Sequence, residues 1–323
     1  MTTTATPAPA VTGARPTGSR PGRLIKSELL KIFTTNAWWI FAILVFATTA
    51  VALLLNIVIA NEELRFADQM AGQGPPTYPP DQAPPPDQIE RERADFARQT
   101  DIGRIVLNST ASVFTSGQFF GLLLMVIIGA LVVTNEFHHQ TATSTFLATP
   151  HRTAVIVAKL ATAAIMALGF WAVVTAINIG VGSAYFGLSG YDVLLTDWTV
   201  VRAVLMNLLG YVVWAILGLG LGVLIRNQLG ATITGGAMYL ISFPVAITFF
   251  GLVRNFIIKH DWVYNGIVAV PGVASFLMIS VEPITFSETA TSPPWWVAAL
   301  VLVGYAVLAG VVGTLITRKR DIS

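Results

Sequence analysis

Residues 38–60, WWIFAILVFATTAVALLLNIVIA, contain no charged side chain and one amide side chain, that of Asn56. A helix needs about 20 apolar residues to cross about 30 Å of hydrocarbon, so this run predicts a membrane span. The run is too long for the apolar core of a cleavable signal peptide, and its flanking residues are wrong for one. We therefore expect it to be retained in the bilayer.

The rest of the chain has the composition of a membrane protein. Of its 323 residues, 54% are hydrophobic and 11% are charged, whereas a soluble domain carries about 25% charged residues. We predict an all-α membrane protein with six transmembrane helices in one domain, residues 23–323, after a disordered cytoplasmic tail, residues 1–22. The predicted spans are about 38–60, 112–134, 154–180, 200–225, 230–251 and 295–316.

The segment 252–290 precedes the last span and is the difficult one to assign. Its apolar stretch is long enough to span, but Pro271 and Gly272 interrupt it in the middle and Pro283 ends it. A seventh span would also put the basic C-terminal residues opposite the basic N-terminus. We therefore predict two short helices within 255–285 that enter the outer leaflet and return, which makes an outer re-entrant pair.

The positions of the basic residues predict the orientation. Lys and Arg are enriched on the cytoplasmic side of membrane proteins, and with six spans every basic group outside 61–111 and 252–290, except Arg202, falls on one side. We therefore expect a multi-pass plasma-membrane protein with both termini in the cytoplasm. The residues that carry this prediction are Arg15, Arg20, Arg23, Lys26, Lys31, Arg152, Lys159, Arg226, Arg318, Lys319 and Arg320.

The region 61–111 is predicted to be an external, proline-rich loop. Its residues 74–86 read GPPTYPPDQAPPP, a composition that favours an extended chain without a packed core. Residues 88–108 predict a helix with dense charges of both signs. This helix is either a solvated extension of the second span or a docking surface for a partner.

The sequence predicts no enzymatic site. A phosphate-binding loop places lysine directly after glycine, and none of the five lysines follows a glycine. His138 and His139 are adjacent and do not share a helix face, and the chain lacks cysteine. We predict no metal, no cofactor and no catalytic residue in this chain.

Two segments on the predicted cytoplasmic face are more informative. Residues 23–36, RLIKSELLKIFTTN, carry an apolar stripe and predict an amphipathic helix that lies flat in the headgroup region; the alternative is a plain continuation of the first span. In the loop 132–152, Asn135 is suited to cap a short helix that starts at Glu136, and Pro150 ends it. Such a loop is either a connector or a docking site.

Together these parts resemble the permease subunits of type 2 ATP-binding-cassette (ABC) exporters. The resemblance rests on SELLK at 27–31, NEFHHQTATSTFLATPHR at 135–152 and LGLGLGVLIRN at 217–227. The second segment is the most specific, because the family often has an acid, a Thr-rich turn and Leu-x-x-Pro there. Gln140 stands where a glycine is common, and the long proline-rich loop is not typical.

The resemblance implies a transmembrane permease domain, an N-terminal elbow helix and a complex of two permeases, here a homodimer, with two separate ATPase subunits. ATP and Mg²⁺ would bind the ATPase, whose closure would switch the permease pair between inward- and outward-facing states. Spans one, two and five would line the path for a lipid, drug or peptide. The implied ATPase contacts are Glu136, Phe137, His138, His139 and Thr141, supported by Lys26, Glu28 and Lys31 in the elbow.

Two other functions are compatible with these features. The first is a complex of the same architecture that signals or regulates cell-envelope processes through its external loop without transport. The second is a stand-alone membrane enzyme or secondary transporter, which needs ionisable residues inside the membrane. We expect membrane lipids as neighbours and no nucleic-acid partner.

Overall fold

The computed structural model describes residues 21–35, 37–79, 81–138, 152–287 and 290–319. Its architecture is built from α-helices, with one π-helix and one 3₁₀ helix near the end of the chain. The α-helices are α1 (Pro21–Phe33), α2 (Ala37–Gln73), α3 (Pro86–Gln99), α4 (Ile102–Phe114), α5 (Gln118–His138), α6 (Arg152–Leu188), α7 (Trp198–Ile225), α8 (Gln228–Leu252), α9 (Pro271–Leu277) and α10 (Trp295–Lys319).

Six helical segments in the described residues are long and apolar enough to cross a membrane, which confirms the predicted number of spans and the all-α class. Helices α2, α6, α7, α8 and α10 each supply one. The remaining span consists of α4 and α5 together, and its helix axis is interrupted at residues 115–117. The chain is therefore a multi-pass membrane protein by the length and composition of its helices.

The spans alternate in direction along the chain. Helix α1 lies against the end of α5 and the start of α6, so these termini define one face of the bundle, here called the α1 side. The other face, at the start of α4 and the end of α6, is called the loop side. Because six crossings are an even number, the end of α10 lies on the α1 side again.

The centre of the bundle is the pair α5 and α7. In the most apolar windows, 78% of the residues of the second span and 61% of the fourth are buried, compared with 17% for the first span and 11% for the fifth. A side chain added at Gly218 of α7 would overlap the carbonyl oxygen of Val126, and one added at Gly129 of α5 would overlap that of Ala215. Glycine allows the two backbones to touch, as small residues do between membrane helices.

Much of the region predicted as a loop at 61–111 is helical. Helix α2 continues to Gln73, and in this extension Leu64 and Ala67 are buried. Leu64 joins Val106 of α4 and Phe186 of α6 in a second apolar cluster on the loop side. The helix continues past Ala60 because this cluster gives its polar second half an apolar surface to pack against.

The segment 252–290 begins with a π-helix, Val253–Ile258, which continues α8 without a break and belongs to the fifth span. Two short helices follow, a 3₁₀ helix at Asp261–Ala269 and α9. With 9 and 7 residues, each is too short to cross the bilayer alone. A re-entrant placement in the outer leaflet stays a prediction.

The close contact of α5 and α7 gives a prediction about stability. Gly218→Ala should force the two helices apart and destabilise the fold by about 1–3 kcal/mol, the usual cost of overpacking. Gly180→Ala is the matched control, because no atom lies within 4 Å of the added carbon. Thermal unfolding in detergent should show a clear loss for Gly218→Ala and none for Gly180→Ala. Equal unfolding temperatures would contradict the contact.

Candidate functional site

Four charged side chains meet on the α1 side. The Lys31 ammonium lies 2.6 Å from Glu28 Oε1 and 2.6 Å from Glu136 Oε1. The Lys159 ammonium lies 2.6 Å from Glu28 Oε2 and 3.0 Å from Glu136 Oε1. Each carboxylate thus accepts from both lysines, and the four charges sum to zero. We call these four residues the charge cluster.

The charge cluster joins three helices that are distant in sequence. Helix α1 supplies Glu28 and Lys31, which are three residues apart and therefore share a helix face. Glu136 lies near the end of α5, and Lys159 lies two turns into α6. The Lys159 ammonium also donates to the carbonyl oxygen of Val132, 3.4 Å away. The cluster therefore fixes α1 across the ends of α5 and α6.

Most of the charge cluster is withdrawn from solvent. The side chains of Glu28 and Lys159 are each 6% exposed and that of Glu136 is 8% exposed, while that of Lys31 is 42% exposed. Removing charges from water costs several kcal/mol per ion, and close pairing offsets that cost. Loss of any one buried partner would leave another buried charge uncompensated.

Lys31, the most exposed residue of the cluster, is affected both by burial and by its hydrogen bonds to the two carboxylates. Burial lowers the pKa of Lys31, and its hydrogen bonds to Glu136 and Glu28 outweigh burial, so that its pKa lies above the ordinary 10.5. Its contribution to stability is therefore complete below the unfolded value and is lost as pH rises through the raised pKa. At physiological pH, Lys31 therefore carries its full positive charge.

The predicted partner-contact residues are divided by the structure. Glu28, Lys31 and Glu136 come together in the charge cluster, whereas Lys26 is exposed on another face of α1. The Phe137 ring lies under the Arg226 guanidinium, with 5.5 Å between the ring centroid and the guanidinium carbon. His138 is the last residue of α5. His139 and Thr141 lie outside the described residues, and contact with a partner stays a prediction for the whole set.

Lys159 is the member of the cluster that sequence reasoning did not assign to the site. In the sequence its charge contributes only to the predicted orientation, although it lies inside the predicted span 154–180. A lysine within an apolar run is expensive without a buried partner. That cost was the available signal, and the carboxylates of Glu28 and Glu136 were the candidate partners.

A second polar group surrounds the interruption between α4 and α5. Asn178 donates to the carbonyl oxygen of Ser116 at 2.9 Å, and so satisfies backbone that the interruption leaves without a helical partner. Gln118 accepts a hydrogen bond from Asn207 at 2.6 Å and donates to the carbonyl oxygen of Ser275 at 2.8 Å. These contacts bind the start of α5 to α6, α7 and α9.

A cavity of about 560 Å³ opens on the loop side beside this interruption. Its walls are the first two spans, the end of α9 and the chain after α9, which includes Glu282. The Glu282 carboxylate forms a bidentate ion pair with the Arg104 guanidinium, in which each carboxylate oxygen accepts one hydrogen bond. This pair holds the chain after α9 against the start of α4.

Another cavity lies between α2, α5 and α8 on the α1 side, with a volume of about 610 Å³. Phe41 of α2, Leu131 of α5 and Leu229 of α8 all line it. Helices α2 and α8 therefore flank the buried second span and leave a groove over it. No group of three or more His, Cys, Asp or Glu side chains suited to hold a metal ion occurs among the residues that the structure describes.

These features define a multi-pass helical membrane protein with a buried ionic cluster at one face and, at the other, a cavity lined by both polar and apolar side chains. No protein-family model matches the chain, and no curated protein matches its sequence.

The charge cluster predicts non-additive effects of mutation. Lys159→Met removes one cation from a buried group of four charges and should destabilise the fold by about 3–5 kcal/mol, as breaking a buried ion pair does. Adding Glu28→Gln restores neutrality and should recover part of this loss. Thermal unfolding of both single variants and the double variant in detergent measures the coupling.

The control for this experiment is Lys26→Met, which removes an exposed lysine from the same face of the bundle. It should unfold within about 0.5 kcal/mol of the parent, as surface substitutions usually do. If Lys159→Met is no more destabilising than Lys26→Met, the cluster does not hold α1 in place.

Proposed function

We propose that the chain is the membrane-spanning permease subunit of an ATP-driven ABC exporter, coupled to a separate ATPase subunit. The observation that carries this proposal is the charge cluster. It joins the amphipathic helix α1 to the end of α5 and the start of α6, the helices on either side of residues 139–151. The family resemblance assigns α1 and the segment 135–152 to ATPase contact.

The geometry supports a route for mechanical coupling. A force on α1 acts through Glu28 and Lys31 on Glu136 and Lys159, because sliding the helices apart would separate buried charges. Glu136 lies on α5, the most buried span, and α5 is in backbone contact with α7 through glycine. A displacement at the α1 side is therefore transmitted along the centre of the bundle.

Within this proposal, the eight assigned residues have two roles. Glu136, Phe137, His138, His139 and Thr141 would form the ATPase contact, supported by Lys26, Glu28 and Lys31 in the elbow. The ion pairs of Glu136 with Lys31 and Lys159 would hold this contact surface to the bundle. The ATPase would bind ATP and Mg²⁺, and this chain would hold no cofactor.

The exposed faces of α2 and α8 support a path between two copies of the chain. Both spans have few buried residues, and they border the groove over α5. A second copy that packed there would enclose the groove and produce a path lined by spans one, two and five. Its apolar walls suit a hydrophobic or amphipathic substrate, which in this proposal leaves the cell.

The proposed orientation places α1 and both termini in the cytoplasm of a plasma-membrane protein. The loop side is then external, and the short helices of 252–290 form the outer re-entrant pair. The basic residues of α1, such as Lys26, would then face the anionic inner leaflet.

The alternative is a complex of the same architecture that signals through its external region without transport. Helix α3, which is described along its whole length, has no buried residue, so its charges of both signs are accessible to a partner outside the membrane. If the ATPase moves the loop side of the bundle and no amphipathic substrate is carried, this alternative replaces the exporter.

Co-purification is the first test of the exporter proposal. The chain should purify as a stable complex with the ATPase subunit encoded beside it, and the complex should hydrolyse ATP in lipid. A chain that purifies alone and has an activity of its own would overturn the proposal.

Coupling is testable without knowledge of the substrate. The chain contains no cysteine, so Ser112→Cys introduces a single thiol on the loop side. ATP and Mg²⁺ should change the rate at which a small maleimide modifies this thiol. Adding Glu136→Gln should leave assembly and hydrolysis intact and reduce that ATP-dependent change several-fold, because an amide cannot neutralise two lysines.

The matched control for this variant is Glu90→Gln, which makes the same chemical change at an exposed site of α3. It should leave the ATP-dependent change at the introduced thiol as in the parent. A full response in the Glu136→Gln variant would refute the coupling role of the charge cluster.

A further inference from the structure

The loop-side cavity opens beside the interruption of the second span at residues 115–117. Helix α5 has 21 residues, and at 1.5 Å per residue it is about 31 Å long, enough to cross the hydrocarbon by itself. We therefore take the interruption at 115–117 as the loop-side boundary of the hydrocarbon, with α4 as the part of this long span that extends beyond it. The cavity opens at this boundary, since both Ser116 and Gly117 line it.

The walls of the cavity combine hydrogen-bonding groups with aromatic rings. Amides and hydroxyls predominate among its polar groups. The hydroxyls of Thr115, Ser116 and Ser280 donate to backbone carbonyls of their own segments. Both ends of the Gln118 amide are hydrogen-bonded. The accessible groups left to donate to and accept from a ligand are the amides of Asn56 and Asn108 and the Ser112 hydroxyl. Phe119 and Phe120, each more than a third exposed, form an apolar surface beside them. The polar lining residues are Asn56, Asn108, Ser112, Thr115, Ser116, Gln118, Ser280 and Glu282.

The cavity is electrically neutral. Glu282 is the one charged residue among the described lining residues, and the Arg104 guanidinium pairs with both of its carboxylate oxygens. The hydrogen bond from Arg104 also lowers the pKa of Glu282 below its ordinary value, so the pair stays ionised at neutral pH. A charged ligand group would enter this cavity without a free counter-charge, which is unfavourable away from water.

We propose that this cavity binds the uncharged, hydroxyl-rich headgroup of an amphipathic molecule, with the apolar chain leaving along the aromatic surface toward the lipid. Its volume falls within the range of about 300–1,000 Å³ that is usual for small-molecule sites. That this molecule is the transported substrate rests on the proposed exporter function. The binding of the molecule to the cavity does not depend on that function.

Protection of a single thiol tests the proposal. Ser112 lines the cavity and is exposed, so the Ser112→Cys chain is reconstituted alone in phosphatidylcholine nanodiscs and modified with a small maleimide. Dodecyl glucoside should slow the modification of the thiol at position 112 several-fold. Dodecyl phosphate and dodecyltrimethylammonium, which have the same chain and opposite charges, should slow it much less.

The positional control is Ser189→Cys, an exposed loop-side site outside the cavity. Dodecyl glucoside should leave its modification rate unchanged. The proposal is overturned if the glucoside protects neither site, if it protects both equally, or if either charged probe protects the thiol at position 112 as well as the glucoside does.

A charge variant tests the neutrality argument separately. Glu282→Gln in the Ser112→Cys chain leaves the Arg104 guanidinium without its counter-charge, so dodecyl phosphate should now protect the introduced thiol more strongly than in the parent. Glu90→Gln on α3 should produce no such change. An unchanged phosphate response in a variant with the parent unfolding temperature would show that Glu282 does not set the charge preference. If the variant does not fold, the comparison of the three probes decides the proposal.

The nanodisc experiment contains no ATP and no ATPase. Failure of glucoside binding therefore leaves the exporter proposal standing, and failure of ATPase assembly leaves the binding proposal standing.

Discussion

Helices α5 and α7 approach so closely that a carbonyl oxygen of one helix stands where a side chain of the other would begin. Gly218 faces Val126, and Gly129 faces Ala215. Lipid supplies little hydrophobic drive for helices to associate, so van der Waals contact of this kind is the main source of stability in the bilayer. The remaining spans pack around this pair, and the outer ones leave most of their surface uncovered.

The charge cluster solves a different problem, which is how to fix a surface helix to a membrane bundle. Helix α1 packs Leu29 and Ile32 against the core of the bundle, while Leu30 and Phe33 are about half exposed. Glu28 and Lys31 add an ionic connection, and these two side chains reach residues of two separate spans. An ionic connection of this kind is directional, since the pairing of each lysine with two carboxylates allows one register between the helices.

Hydropathy predicted the number of spans and the fold class, because a bilayer requires about 20 apolar residues in every crossing helix. It did not predict the extension of α2 to Gln73. That extension is polar in composition, and it is helical because Leu64 and Ala67 meet apolar residues of α4 and α6, which are distant in sequence. The interruption of the second span was missed for the same reason, since Asn178 satisfies the freed backbone from another helix.

The candidate site was predicted in part. The segments 27–31 and 135–152 directed attention to Glu28, Lys31 and Glu136, but the sequence could not show that these side chains contact one another. From the sequence, Lys159 contributes to the predicted orientation alone, because its partners are not its neighbours in the chain. Glu28 is 131 positions away, and Glu136 lies near the end of the preceding span. A lysine inside a span is stable only with a buried partner, and which residue is the partner becomes visible only in the folded structure.

The second span joins the two ends of the molecule. Its α5 end holds Glu136 in the charge cluster, and its α4 start holds Arg104 against Glu282 beside the loop-side cavity. Between them, Gly117 adopts a φ of +80°, a conformation that glycine reaches without strain. A single straight helix would move both ends together. The interruption separates these two parts. The Arg104–Glu282 pair fixes α4 to the chain after α9, and Gln118 fixes the start of α5 to Ser275 of α9. Under the exporter proposal, a displacement on the α1 side would therefore reach the cavity through the residues at 115–117, which lie between these two attachments.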